Sequence, residues 1–196
     1  DQNEDVDYEN VTADELTQAD KWILSKVNTL AKDVTVLMDS FDLGIAVQKI
    51  YDFIWEEFCD WYIEMVKPRL YNDADETKAA ALYTLKTVLI DALKLLHPYM
   101  PFITEEIYCT LLPEEESIMI SEWPVYREER NFPDAEKAIE GFKEVVRGIR
   151  NTRTEMNVPN NKRTKVYIIS SDSKLLTALE VLKESVKPLM LANDII

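Results

Sequence analysis

Glycine is scarce: Gly44, Gly141 and Gly148 are the only three in 196 residues. Glycine-rich loops that cradle phosphate are therefore excluded, and the shortage of tight glycine turns pushes the expected fold toward helices. Cysteine is limited to Cys59 and Cys109, both inside apolar stretches with helical spacing. A disulfide framework is not expected from such a pair, and a reducing, cytoplasmic setting fits. His97 is the one histidine. With no serine or cysteine in a nucleophile context it completes no catalytic triad, and two scattered cysteines cannot join it in a zinc site. Its place before Pro98 suits an imidazole satisfying free carbonyls at a helix end. No run approaches the roughly eighteen apolar residues of a spanning helix, so no membrane partner is expected. An initiator methionine and a basic-then-apolar leader are both missing at Asp1, as expected of a piece cut from a longer chain.

Positive charge is missing from the first twenty residues, which hold eight acids and account for −8 of the net −15. The remaining 176 residues therefore carry only −7, and their charge is unevenly spread. From Gly141 to Ser170 seven cations (Lys143, Arg147, Arg150, Arg153, Lys162, Arg163, Lys165) face two acids, Glu144 and Glu155. Local potential within a Debye length of about 8 to 10 Å steers a polyanion more than the chain total does, so nucleic acid stays in play. Residues 105–140 hold eleven acids against Arg127, Arg130 and Lys137, and that surface is not expected to touch RNA.

What is abundant is helical periodicity. Residues 1–16 form an acidic lead-in without a sustained apolar period, expected to be poorly ordered. A helical bundle is expected over 17–131. Its first helix carries Trp22, Ile23, Val27, Leu30, Val34 and Leu37 on one face. A second, capped by Asp42, runs from about Leu43 to Val66 and is apolar nearly all round, so neighbours should surround it. Pro68 is expected to end it, and a third helix opens in the Asn72–Asp75 stretch. A fourth runs from Phe102 to Leu112, and Ile118–Ile120 reads as a short extended stretch. The segment 132–196 reads as a long helix with Pro133 at its first position, ending near Glu155, plus a small β-α-β unit. Its strands are Lys165–Ile169 and Asp194–Ile196, with a helix between them capped by Ser171 or Asp172. The fold class is thus mainly α, a helical bundle with a small C-terminal α/β appendage.

Catalysis finds no support, because the adjacent pairs Glu56–Glu57 and Glu105–Glu106 point about 100° apart on a helix and cannot share a substrate atom. The residues with binding potential are cationic and aromatic. Trp61, in a dense aromatic cluster followed by Lys67, Pro68 and Arg69, is the ring expected to stack on an unpaired base. Lys143, Arg147 and Arg150 share a helix face, and Arg153, Lys162 and Arg163 come soon after in the chain. Together with Lys67 and Arg69 these are the expected phosphate contacts.

Four ordered strings carry a family resemblance. They are Asp20 to Lys26 (DKWILSK), Tyr51 to Glu64 with Lys67 to Leu70 (YDFIWEEFCDWYIE, KPRL), Leu96 to Glu106 (LHPYMPFITEE), and Ile149 to Pro159 (IRNTRTEMNVP). Together they resemble the class I aminoacyl-tRNA synthetases in their anticodon-binding bundle, over nearly the whole span from Leu16 to Ile196. The second and fourth strings favour the valine-specific branch; the third is shared with the isoleucine and leucine enzymes. The resemblance implies a non-catalytic module that docks the anticodon arm of a valine-accepting tRNA. A separate catalytic domain of the parent, expected to be a monomer, would use ATP and Mg to charge that tRNA. The two class I catalytic signatures are absent from the sequence, so no cofactor is expected in this piece. Two rivals stand beside this reading: a helical module that docks a protein through its acidic face, and the equivalent domain of an isoleucine or leucine enzyme.

Overall fold

The computed structural model describes residues 11–159, 161–169 and 186–196, with the single positions 176, 180 and 183. Residues 1–10 of the acidic lead-in lie outside this set, as does most of the helix expected after Ser171. The rest of the lead-in is not loose: Leu16 is buried and Val11 packs on the core.

Helix α1 (Gln18–Asp39) starts where two side chains satisfy each other's backbone. Thr17 accepts from the Asp20 amide, and the Asp20 carboxylate accepts from the Thr17 amide at 2.9 Å, a reciprocal cap. The apolar face read from the sequence then turns inward, with Trp22, Ile23, Val27 and Val34 fully enclosed. Against it pack α2 (Leu43–Asp52), α4 (Lys78–Leu96) and α6 (Pro133–Glu155), while α5 (Pro101–Leu111) lies on α4. Asp42 occupies the N-cap of α2, but its side chain makes no capping bond.

The second helical rod departs most from expectation. It does not stop at Pro68 but runs unbroken from Leu43 to Leu70, through a wide π-helical segment at Phe53–Ile63 and then α3 (Glu64–Leu70), with Pro68 inside the last turns. A π turn takes one extra residue, so the buried face shifts by five from Phe53 to Phe58 and resumes at Tyr62 and Met65. That change of phase also leaves one side of the rod in water. Tyr51 and Trp55 are exposed, so the rod is not enclosed all round. The next helix opens at Lys78 rather than near Asn72, because Asp75 accepts from the Thr77 amide and holds a turn there.

Residues 112–132 return along α1, held by polar groups on its flank. Asn28 pairs with the backbone of Arg127 in both directions, donating to its carbonyl and accepting from its amide at 2.8 Å each. Ser25 accepts from the Phe132 amide and donates to Glu136. Trp123 donates its indole N–H to Thr35 at 2.9 Å. Within this segment Ile118–Ile120 is a 3₁₀ turn, not a strand: Ser117 caps it, and only Ile118 is buried. Pro133 does begin α6, which ends at Glu155. Beyond it β1 (Thr164–Val166), shorter than the strand expected there, pairs in parallel with β2 (Ala192–Ile195), which starts two residues earlier than expected, and residues 186–190 leading into β2 are helical.

The ends of three elements meet at one buried ion pair. The Arg69 guanidinium, from α3, grips the Asp20 carboxylate of α1 with two bonds of 2.8 and 2.9 Å. It donates further to the Thr77 hydroxyl and carbonyl at the start of α4. The Tyr62 hydroxyl donates to Asp20 at 2.6 Å. Breaking such a pair leaves an uncompensated charge inside, so Arg69→Ala should cost about 3 to 5 kcal/mol in urea unfolding. Lys67→Ala, which removes only a half-exposed contact with Glu64, should cost less than about 1 kcal/mol. Burial, then the negative charge of Asp20, raises the Tyr62 phenol well above the ordinary tyrosine range. The folded state thus holds a proton that the unfolded chain releases, so this contribution is intact below about pH 10 and is lost as pH rises beyond it. Alkaline unfolding monitored by circular dichroism should be less steep in Tyr62→Phe.

Candidate nucleic-acid interface

Helix α6 runs antiparallel to α1, since Glu136 meets Ser25 while Lys143, two turns further along α6, lies over Trp22 nearer the start of α1, so its basic C-terminal turns lie beside that start. There the row Lys143, Arg147, Arg150 meets the π segment edge-on. All three cations stand over the Trp61 indole, 5.6 to 5.8 Å from its centre. Phe142 meets the same indole edge-to-face at 6.2 Å. Trp61 is only 7% exposed. It is therefore a platform under the cations and is not the open stacking ring expected from the sequence.

The expected phosphate contacts separate into two groups. Lys143 is 2% exposed; it bonds Glu57 at 2.6 Å and Glu140 at 3.3 Å and lies between the indoles of Trp22 and Trp61. Arg69 is committed to Asp20 and Thr77. Arg153, 9% exposed, donates to Thr164 and to the carbonyls of Pro159 and Lys162, tying the loop after α6 to the helix. These three are structural, because a side chain already desolvated and bonded offers no face to phosphate. Lys67 is half-exposed and pairs with Glu64. Arg147 and Arg150 are exposed, and among the described residues neither has a carboxylate within the 4 Å of an ion pair. Arg150 is aimed by one bond, from its Nε to the Leu189 carbonyl at 2.9 Å. The side chains of Lys162 and Arg163 are exposed in the following loop.

A cleft of about 630 Å³ opens here. Arg147 and Arg150, over Trp61, line it together with Glu56, Asp60 and Glu64, which recur at four-residue steps, and with Pro188 and Leu189. The guanidiniums can take an anionic oxygen, and the carboxylates accept hydrogen bonds from donor groups, so the cleft suits a ligand carrying both.

Accessible rings stand elsewhere. Phe41 (85% exposed), in the turn after α1, and Phe102 (91% exposed), at the start of α5, lie at the opposite end of the bundle, where the Tyr99 hydroxyl donates to the Leu43 carbonyl at 3.1 Å. Tyr51 and Trp55 pack side by side between the two ends, ring centres 6.2 Å apart. Their signal in the sequence is phase: each is a large ring one or two positions off the buried face.

His97 is accounted for within the fold, its Nδ1 lying 2.7 Å from the Thr104 hydroxyl. Among the described residues no group of three or more His, Cys, Asp or Glu is placed to hold a metal, and no helix is long and apolar enough to cross a membrane.

The family model described as the anticodon-binding domain of tRNA ligase matches residues 20–168, from the Asp20 cap through β1. The chain belongs to the anticodon-binding domain family of tRNA ligases. It is 52% identical to the valine–tRNA ligase of Clostridium perfringens over 81% of its length and 18% of that relative's. It is 43% identical to the valine–tRNA ligase of Carboxydothermus hydrogenoformans (87% of the chain, 19% of the relative) and 44% identical to that of Thermotoga maritima (83% and 18%). The anticodon-binding domain thus spans about a fifth of the length of the curated relatives it matches.

The two groups of cations in the anticodon-binding domain should respond differently to truncation. Lys143→Ala should lower unfolding free energy by about 1.5 to 3 kcal/mol through its lost charged hydrogen bonds. Arg147→Ala should stay within about 1 kcal/mol, the worth of an exposed cation–π contact. Urea titration of the two variants side by side checks the division.

Proposed function

We propose that the chain is the tRNA-recognition module of a valine–tRNA ligase, holding the anticodon arm while a separate ATP- and Mg-dependent catalytic domain of the same polypeptide charges the tRNA. The observation that carries this reading is the family match across 20–168 together with valine–tRNA ligase relatives at 38 to 52% identity. Those relatives favour the valine branch over the isoleucine and leucine branches, and they disfavour a protein-docking module. A monomeric, cytoplasmic parent is the companion expectation.

The surface reading follows the physics of RNA contact. Phosphates anchor and exposed bases are read by stacking, because single-stranded loops present unstacked faces. Arg147, Arg150, Lys162 and Arg163 are the accessible cations for phosphate, with Lys67 at the margin. Of the exposed rings, which also include Tyr71 and Tyr167, Phe41, Tyr51, Trp55 and Phe102 are assigned to bases.

Binding of the domain to an anticodon stem-loop from a valine tRNA, and to the same stem-loop with its anticodon replaced, should show a preference for the valine anticodon that persists as salt rises. Equal affinities erased by salt would defeat the reading. Arg147→Ala with Arg150→Ala should flatten the salt slope by about one unit per lost contact. Phe41→Ala or Trp55→Ala should cost about 1 to 3 kcal/mol of binding with the slope unchanged, if that ring stacks on a base. Fluorescence anisotropy across a salt series reads both effects.

A further inference from the structure

A parallel pair of strands is an incomplete structure. Parallel ladders occur almost only inside larger sheets covered on both faces, and two strands alone are marginal in water. The β1–β2 ladder continues past its formal ends: Ile196 donates to the Val166 carbonyl and accepts from the Ile168 amide, both at 2.9 Å. Residues 166 and 168 therefore point their backbone groups toward β2, and 165, 167 and 169 point theirs away from it. Among the described residues the amides of Tyr167 and Ile169 have no partner. The far edge of β2 differs, because the Ile195 amide there is taken by the Asp194 side chain at 3.0 Å.

The register sorts the side chains as well. Val166 pairs with Ile195 on the face toward the core, and Thr164 with Ala192. On the other face Tyr167 is 67% exposed, Ile169 98% and Ile196 56%. Among the described residues, a row of unpaired backbone groups thus runs along an exposed apolar strip, the arrangement that recruits a further strand. The loop leading into that edge carries Lys162 and Arg163, and Lys165 stands at its start, so an incoming strand with acidic residues at that end is favoured.

We propose that the outer edge of β1 is completed by an extended segment from elsewhere in the longer ligase polypeptide, apolar side chains covering Tyr167 and Ile169 and acidic ones meeting Lys165 and Arg163. The chain is about a fifth of its relatives' length, so such a ligase has ample polypeptide to supply the strand. The inference rests on the domain being part of that longer protein.

Residue-resolved hydrogen exchange on the isolated 196-residue chain and on the intact ligase carrying it tests the idea. The expected result is exchange at the Tyr167 and Ile169 amides slowed by about tenfold or more in the intact enzyme only, with no RNA present. The alternation identifies a strand, since a helix or loop laid over the face would not select odd-numbered amides. Equal exchange in the two proteins, or uniform slowing across 165–169, overturns it. Protection already present in the isolated chain, with a dimer in sedimentation, also overturns it by making a second copy the occupant.

Discussion

Everything in the bundle is referenced to one charge pair. Asp20 is completely enclosed and Arg69 nearly so. Desolvating both is costly, and the cost is met only when every donor and acceptor is matched. Matching requires that the first turn of α1, the end of the long rod and the first turn of α4 arrive together, because Thr17, Tyr62 and Thr77 each supply a partner. The hydrophobic faces alone would let those helices slide or rotate by a turn. The pair fixes one register. It sits a short distance from the cleft, so the placement of Trp61, eight residues before Arg69 on the same rod, is set by it as well.

The cleft illustrates how the same residue type divides by environment. Lys143, Arg147, Arg150 and Arg153 are successive members of one basic row on α6. Lys143 faces inward and is neutralised by Glu57, and Arg153 ties down the loop that leaves the helix. Arg147 and Arg150, between them, hold their cations over an indole, and among the described residues neither has a carboxylate within the distance of an ion pair. An aromatic platform of this kind orients a guanidinium and leaves its donors available. The architecture therefore spends part of its positive charge on its own stability and presents only a fraction of it to a partner, which is how a domain with net negative charge can still offer a cationic surface.

The helices were legible because their apolar spacing is strong: α1, α6 and the proline at the start of α6 follow from periodicity and capping chemistry. The family was legible from the four strings. Much of the binding surface was not. A cation's spacing on a helix says which neighbours share its face, but not whether that face points into the bundle. Lys143 and Arg69 looked free because their carboxylate partners, Glu57 and Asp20, lie 86 and 49 positions away. Trp61 looked like an exposed ring because the widened turn that shifts the buried phase has no marker in composition. The continuation through Pro68 was hidden for a related reason: the lost amide bond is tolerable in the last turns of a helix held by Arg69.

The packing of α6 on α1 has a consequence in time. Ser25 and Glu136 touch although 111 positions separate them. At a synthesis rate of about 5 to 20 residues per second, roughly 6 to 22 seconds pass between the emergence of the two. The Asp20–Arg69 pair can close early in that interval, but Trp22 and Trp61 wait for Phe142 and Lys143. A nascent bundle thus passes through a stage in which its register is set while two indoles remain uncovered, and it is the arrival of α6 that ends the risk of aggregation on the ribosome.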